Sequence, residues 1–308
     1  MTNMLFLLKL VILLLLSSFF SWSVLLIDYS LAKKSKKTNR FLRELVLLLL
    51  LVAPESALAF FLVSLFGGEA VLGMVMGSFL LILLLVPGLL AIIRGSLLIG
   101  GKILYKDAFL GFLFVSLPLL FLLDKQLSSS EGWVLMGVGL ALLIFHFGNR
   151  LTRFKVKIPK ANWGLMILGG GFFVLSFCLI ISLVASIDIK VSPFLQGLFL
   201  FSLPVCLSEI VLSLFRRSKK QKTKIVFDHL FFSLVFSATF ILGLTAILFP
   251  FRVSSLTSYL WSTIFFLIGF ALFYFFAWSK KRIDRREGVL LIFVFLLMIV
   301  MEMLVGGF

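Results

Sequence analysis

Apolar runs of about 18 or more residues recur from one end of this 308-residue chain to the other, separated by short polar stretches. Runs of that length mark helices that cross a membrane. Their boundaries predict ten helices, over residues 4–27, 41–66, 70–93, 107–123, 133–147, 163–187, 193–215, 227–249, 257–278 and 289–305. At ~1.5 Å per residue, each is long enough or nearly so to span a hydrocarbon layer ~30 Å thick. Asp124, Lys125 and the Ser128–Ser130 run separate the fourth from the fifth. No polar stretch is long enough to fold as a soluble domain. The expectation is an all-α polytopic membrane protein. The first run begins MTNMLFLLKLVILLLL, with one lysine (Lys9) ahead of an apolar stretch too long for a signal core. With no small-x-small cleavage site after it, this segment reads as a retained first span.

The polar stretches orient the spans. Loops one, three, five, seven and nine hold six, three, five, six and five Lys or Arg residues, which is 25 of the 29. The even loops hold only Lys125, Lys190 and Arg252, and Lys9 is the remainder. The positive-inside rule then puts the odd loops in the cytoplasm and both termini outside, in a bacterial or archaeal cell membrane. A missed or extra span would scramble this alternation.

Composition agrees: 62% of residues are hydrophobic and mean hydropathy is +1.21. A formal charge of +16 would suggest nucleic acid in a soluble protein. Confined to short loops, it reads instead as topology and attraction to anionic lipid headgroups, with no nucleic acid as partner. Trp22, Trp133, Trp163, Trp261 and Trp278 fall near the expected span ends, as an interfacial belt would have them. Cys178 and Cys206 lie in apolar segments without metal or disulfide spacing and read as small core residues. No nucleotide loop, Cys/His metal motif or Ser-His-Asp set is visible, so no cofactor and no enzymatic chemistry is expected.

Two glutamates stand out. Glu55, in LLLLLVAPESALAFF, and Glu209, in FSLPVCLSEIVLSLF, each sit mid-span with no other charge close by. A carboxylate at that depth costs roughly 2.5–3.5 kcal/mol, so such residues face a protein interior or a wet cavity and work there. Their surroundings also match. Glu55 to Glu209 is an offset of 154, Ser78 to Ser233 is 155, and Gly88 to Gly243 is 155. Units five spans apart cross the membrane in opposite senses. The chain therefore reads as two inverted five-helix halves, 1–150 and 151–308, with a midplane site where they meet, as in secondary transporters. Pro54 beside Glu55 and Pro204 near Glu209 predict broken helices whose freed carbonyls line that cavity.

At these residues the chain resembles the sodium/calcium exchanger (cation/calcium antiporter) superfamily. That family carries two inverted repeats, each with G-T-S-x-P-E followed by G-S-N-x-x-N/D. Here the first copy reads L-V-A-P-E and then Gly77-Ser78-Phe79-Leu80-Leu81-Ile82. The second reads V-C-L-S-E and then Phe232-Ser233-Leu234-Val235-Phe236-Ser237. Ser192 and Gly197 also fall where the approach to the second repeat has a serine and a glycine. The resemblance implies cation ligation by Glu55 and Glu209, with Ser78, Ser233 and Ser237 auxiliary. It also implies an antiporter that exchanges calcium for sodium or protons by alternating access, while the first and sixth helices move across the site. The departures are substantial: Ile82 and Ser237 stand where the family has Asn or Asp. Leu51-Val52 and Val205-Cys206 replace its Thr-Ser pairs. Calcium wants six to eight oxygens, and this set approaches six. Two carboxylates close together in a low-dielectric site can share a proton, so proton exchange stands beside sodium exchange. The rival from another class is a transport-inactive paralogue that keeps the fold as a membrane scaffold or subunit.

The remaining polar residues have plain readings. Glu69, in the turn before the third span, is expected to be an exposed helix-start carboxylate. Asp228 is read as a similar charge at the start of the eighth span, and His146 and His229 as wet interfacial residues. Glu302 is expected at headgroup level, at the outer end of the last span.

Overall fold

A computed structural model describes residues 2–32, 55–98, 116–151, 163–186, 192–204, 206, 234–254, 256–280 and 282–305. Each of the ten predicted stretches contains helix among these residues. The segments are α1 (Thr2–Ala32), α2 (Glu55–Phe66), α3 (Gly68–Arg94), α4 (116–121), α5 (Ser129–Leu151), α6 (Trp163–Ala185), α7 (Pro193–Pro204), α8 (Leu234–Leu248), α9 (Leu256–Lys280) and α10 (Arg285–Val305). Helix is what such sequences must form in lipid, because it satisfies every backbone polar group within the segment. The serines in these apolar runs follow the same logic. In α1, Ser17, Ser21, Ser23 and Ser30 each donate to a backbone carbonyl three or four residues back, at 2.6–2.7 Å.

The helix ends have local causes. Gly67, at φ 83°, breaks α2 from α3, and Gly95, also at φ 83°, ends α3 just past Arg94. Ser192 caps α7 by accepting from the Leu195 N–H at 3.4 Å, and Pro193 fills the first helical position. Three π turns widen the helices, at Leu81–Leu85 in α3, Gly197–Phe201 in α7 and Ser237–Ile241 in α8. Two precede prolines whose missing N–H would have bonded inside the turn: Pro87 opposite Leu83, and Pro204 opposite Leu200. The break expected near Pro204 therefore takes the form of a wide turn. Pro54 lies outside the described residues.

Helix α3 is central. Of its most apolar window 78% is buried, against 22% for α6, 39% for α9 and 33% for α10, which turn apolar side chains outward as lipid-facing helices do. Helices α3 and α7 touch backbone to backbone. A Cβ on Gly73 would lie 2.0 Å from the Phe194 carbonyl oxygen, one on Gly77 2.2 Å from that of Leu198, and one on Gly197 2.0 Å from that of Ala70. Helices α1 and α6 pack together through Phe19–Phe172 and Phe20–Phe173, at ring separations of 5.0 and 4.7 Å.

Several contacts occur in matched pairs. Gly88 of α3 meets Gly288 of α10, with a Cβ on Gly88 falling 2.8 Å from the Gly288 oxygen. Gly243 of α8 meets Gly132 of α5 in the same way, also at 2.8 Å. Adding 155 to 88 gives 243, and adding 156 to 132 gives 288. The structure also adds two small antiparallel ribbons to the expected all-helical fold. One pairs β1 (Ser96–Leu98) with β4 (Arg282–Asp284), and the other pairs β2 (Gln126–Leu127) with β3 (Phe251–Arg252). They tie the third loop to the ninth and the fourth to the eighth. The same shift of about 155 carries β1 onto β3 and β2 onto β4.

Candidate cation site

The described part of the site is built around Glu55. It stands at the start of the described part of α2 and is 3% exposed. Its Oε2 accepts a hydrogen bond from Ser237 Oγ at 2.6 Å, across 182 residues of sequence. Ser237 opens the π turn of α8, so the serine that meets the carboxylate does so from a widened stretch of helix. Such turns are frequent at functional sites. Within the turn Thr239 is spoken for, since its hydroxyl donates to the Val235 carbonyl at 2.7 Å. Glu55 Oε1 is buried with no hydrogen-bond partner among the described residues.

Ser78 lies on α3, 2% exposed, and its Oγ is likewise buried without a hydrogen-bond partner among the described residues. Its backbone carbonyl accepts a weak hydrogen bond at 3.6 Å from the Sγ of Cys206, two residues past α7 in sequence. One residue earlier, Gly77 admits Ser202 of α7 against the α3 backbone. Ser78 is thus held where the two helices cross. Ile82 is buried in the first π turn, 3% exposed, and offers only hydrocarbon.

Of the expected site residues, the structure joins Glu55 to Ser237 directly and buries Ser78 on the neighbouring central helix. Glu209 and Ser233 lie outside the described residues, as do Asp228 and His229. No basic side chain occurs in the described parts of α2, α7 or α8, and the one in α3 is Arg94, at its last residue. A carboxylate left ionised in such surroundings costs several kcal/mol unless a positive charge arrives with the ligand. Among the described residues no three of His, Cys, Asp and Glu gather. The oxygens on offer among the described residues are therefore one carboxylate and the neutral hydroxyls of Ser237 and Ser78, hard oxygen chemistry of the kind that suits alkali and alkaline-earth cations.

Three other residues differ from expectation. Glu69 is buried rather than exposed, because Ser254 in the eighth loop binds its carboxylate through both its backbone N–H and its hydroxyl, the latter at 2.8 Å. Glu302, expected at headgroup level, is fully buried within the protein and accepts from Ser262 Oγ of α9 at 2.6 Å. Cys206 is buried as expected, whereas Cys178 is exposed on the lipid-facing side of the fold. The depth of Glu69 and Glu302 could not be read from their places near helix ends. The serine-rich start of α9 was the available signal for Glu302.

The family model described as sodium/calcium exchanger protein matches residues 161–304. No curated protein matches the chain by sequence. Among solved structures, the chain is similar to the sodium-calcium exchanger NCX_Mj soaked with 10 mM Na+ and 10 mM Sr2+. The identity is 20% and the TM-score 0.63, over 94% of this chain and 96% of that one. The same exchanger soaked with zero Na+ and Ca2+ gives 20% identity and a TM-score of 0.60, over 96% of each chain. Native YfkE gives 16% identity and a TM-score of 0.66, over 98% of this chain and 92% of that one. At these identities the likeness is one of fold.

Proposed function

We propose that this membrane protein of the sodium/calcium exchanger superfamily is a secondary cation antiporter. It exchanges calcium for sodium or protons by alternating access around a midplane site that contains Glu55 and Glu209. The observation that carries this reading is the Glu55–Ser237 pair: a buried carboxylate, with one oxygen unpartnered among the described residues, joined to a π turn in the other half of the chain. The second half matches the family model, and the solved exchangers share the fold.

The matched contacts support two inverted halves. Gly88–Gly288 and Gly243–Gly132 are one contact seen twice, and the two ribbons exchange under the same shift. The ribbons also join odd loop to odd loop and even loop to even loop. This supports ten spans with both termini outside, in the cell membrane. On this reading Glu55 and Glu209 each provide carboxylate oxygens. Ser237, Ser78 and Ser233 add neutral oxygens, and carbonyls near the wide turns complete the shell. Two carboxylates balance one divalent cation, and the same two can take protons or monovalent ions on the return step. The α1–α6 pair supplies surfaces that slide across the site. Their contact is largely aromatic and aliphatic, with Gly169 set against Ile27 and Ser23.

The test is flux. Purified protein reconstituted into vesicles should move calcium when a sodium or proton gradient is imposed, and Glu55→Gln or Glu209→Gln should abolish that movement. Vesicles that show no cation flux under either gradient, or flux indifferent to both substitutions, would refute the antiporter and favour the scaffold.

A further inference from the structure

We propose that Glu302, Ser262 and Ser258 form a second cation site, between α9 and α10, that holds one cation of single charge. It shares no residue with the Glu55 centre and does not rest on that centre's function. Glu302 and Ser262 are 0% exposed and Ser258 is 3% exposed. Ser262 Oγ donates to Glu302 Oε1 at 2.6 Å. Ser258, four residues earlier, lies buried on the same face of α9. The other oxygen, Oε2, is buried with no hydrogen-bond partner among the described residues.

Among the described residues no counter-charge faces Glu302. The described elements packed most closely against α10 are α3, α9 and β4. The charged residues of α3 are Glu69 and Arg94, at its two ends, and Glu69 is taken by Ser254. Helix α9 has no charged residue before Lys280. Of its two tyrosines, Tyr259 donates to the Leu119 carbonyl and Tyr274, about four turns further along the helix, stacks on Phe270. Arg282 and Asp284 of β4 pair with each other, and with Arg285, Arg286 and Glu287 they lie at the far end of α10, about 22 Å or more from Glu302. A buried carboxylate without a counter-charge is several kcal/mol unfavourable, and as the described residues supply none, we take the neutralising charge to be bound.

The chemistry of the site limits what that charge can be. One carboxylate and two hydroxyls are too few oxygens for calcium, which takes six to eight. They suit a proton on the carboxyl or a sodium-sized ion that keeps part of its hydration shell, and either one balances a single carboxylate. Access comes from one side. Glu302 is three residues from the end of α10, and Ser258 is two residues from the start of α9. By sequence, the offset of 156 that relates Gly132 to Gly288 also relates His146 to Glu302. Both halves thus carry a titratable residue at this position.

The site can be tested by the thermal stability of the full chain in detergent, in a Glu55→Gln background that silences the midplane centre. Melting temperature would be followed against sodium chloride, with choline chloride as control, and against pH without sodium. If sodium is the ion, melting temperature rises saturably with sodium and Glu302→Gln removes the rise. If the ion is a proton, the folded chain keeps a proton that the unfolded chain releases to water, so melting temperature falls as pH rises and Glu302→Gln flattens that fall. Ser262→Ala is the second variant, for the case in which Glu302→Gln does not fold. Losing its hydroxyl should shift the sodium half-saturation or the proton midpoint by about fivefold in concentration. Sodium and pH responses unchanged by Ser262→Ala and by any folded Glu302→Gln protein would overturn the proposal.

Discussion

Replacing Gly73 with alanine should destabilise the protein by more than the change of one methyl suggests. A Cβ at that position would stand 2.0 Å from the Phe194 carbonyl oxygen, 2.9 Å from its carbonyl carbon and 3.0 Å from the Leu198 nitrogen. Real Cβ atoms essentially never approach a heavy atom closer than 3.0 Å, so the shortest contact is about 1 Å too close. All three neighbours are backbone, and no rotamer change can relieve them. Helix α7 would have to draw back from α3 by about that distance, opening the crossing along its length. Overpacking of this kind costs typically 1–3 kcal/mol, and the rigidity of the obstacle puts this case near the upper end. At roughly 2–4 °C per kcal/mol for chains of a couple of hundred residues, melting temperature should fall by about 5 °C or more. Gly171→Ala is the matched control: it lies on α6 with nothing within 4 Å of its added Cβ, and alanine is the better helix former. Melting of the purified protein, followed by tryptophan fluorescence or by loss of the monodisperse chromatographic peak, would measure both. Equal stability of Gly73→Ala and Gly171→Ala would refute the backbone contact between α3 and α7.

The other outcomes follow from single contacts. Ser237→Ala removes the hydroxyl that meets Glu55, and a hydrogen bond to a charged group contributes about 1.5–3 kcal/mol, so cation affinity in flux or calorimetry should weaken about tenfold or more. Ile82→Asp adds an oxygen where the family resemblance expects one and should tighten calcium binding by about tenfold. Unchanged affinity would mean that position 82 faces away from the ion. Single cysteines at Ser96 and at Gln126 probe the two ribbons, and a membrane-impermeant maleimide should label Gln126→Cys but not Ser96→Cys in intact cells. Labelling of both from one side would exclude the inverted arrangement.

The spans were legible because lipid imposes a simple rule on apolar run length, and the alternation of basic loops checks it independently. Of the matched offsets read in the sequence, Gly88–Gly243 reappears in the structure as half of a doubled glycine contact, whereas Glu209 and Ser233 lie outside the described residues. What sequence missed depends on helix rotation and on what a neighbour brings. Glu302 lies one turn from a helix end, where a carboxylate can reach water, yet the packing of α9 turns it inward onto Ser262. Glu69 is buried for the same kind of reason: the eighth loop brings Ser254 onto it. The π turn at Leu81–Leu85 had a visible cause in Pro87, a proline away from either glutamate.

That turn bears on what the site can hold. The π turns at Leu81–Leu85 and Ser237–Ile241 are 156 residues apart, so the two halves place the same backbone irregularity at corresponding points. Their side chains are not equivalent. In the second half the turn opens with Ser237, whose hydroxyl meets Glu55. In the first half the corresponding residues are Leu81 and Ile82, each 3% exposed and without a polar atom in the side chain. Among the described residues the two turns match in backbone but not in side chain: Glu55 has a hydroxyl from the second half, and the first half offers only hydrocarbon at the matching place. A chain that needed several metal ions bound at once would use both positions. One that carries a single cation against protons needs only the carboxylates, a few neutral oxygens and a dry wall on one side. The lopsided turns therefore favour a single-cation centre over a multi-ion one, and Ile82→Asp tests which side of that choice the chain occupies.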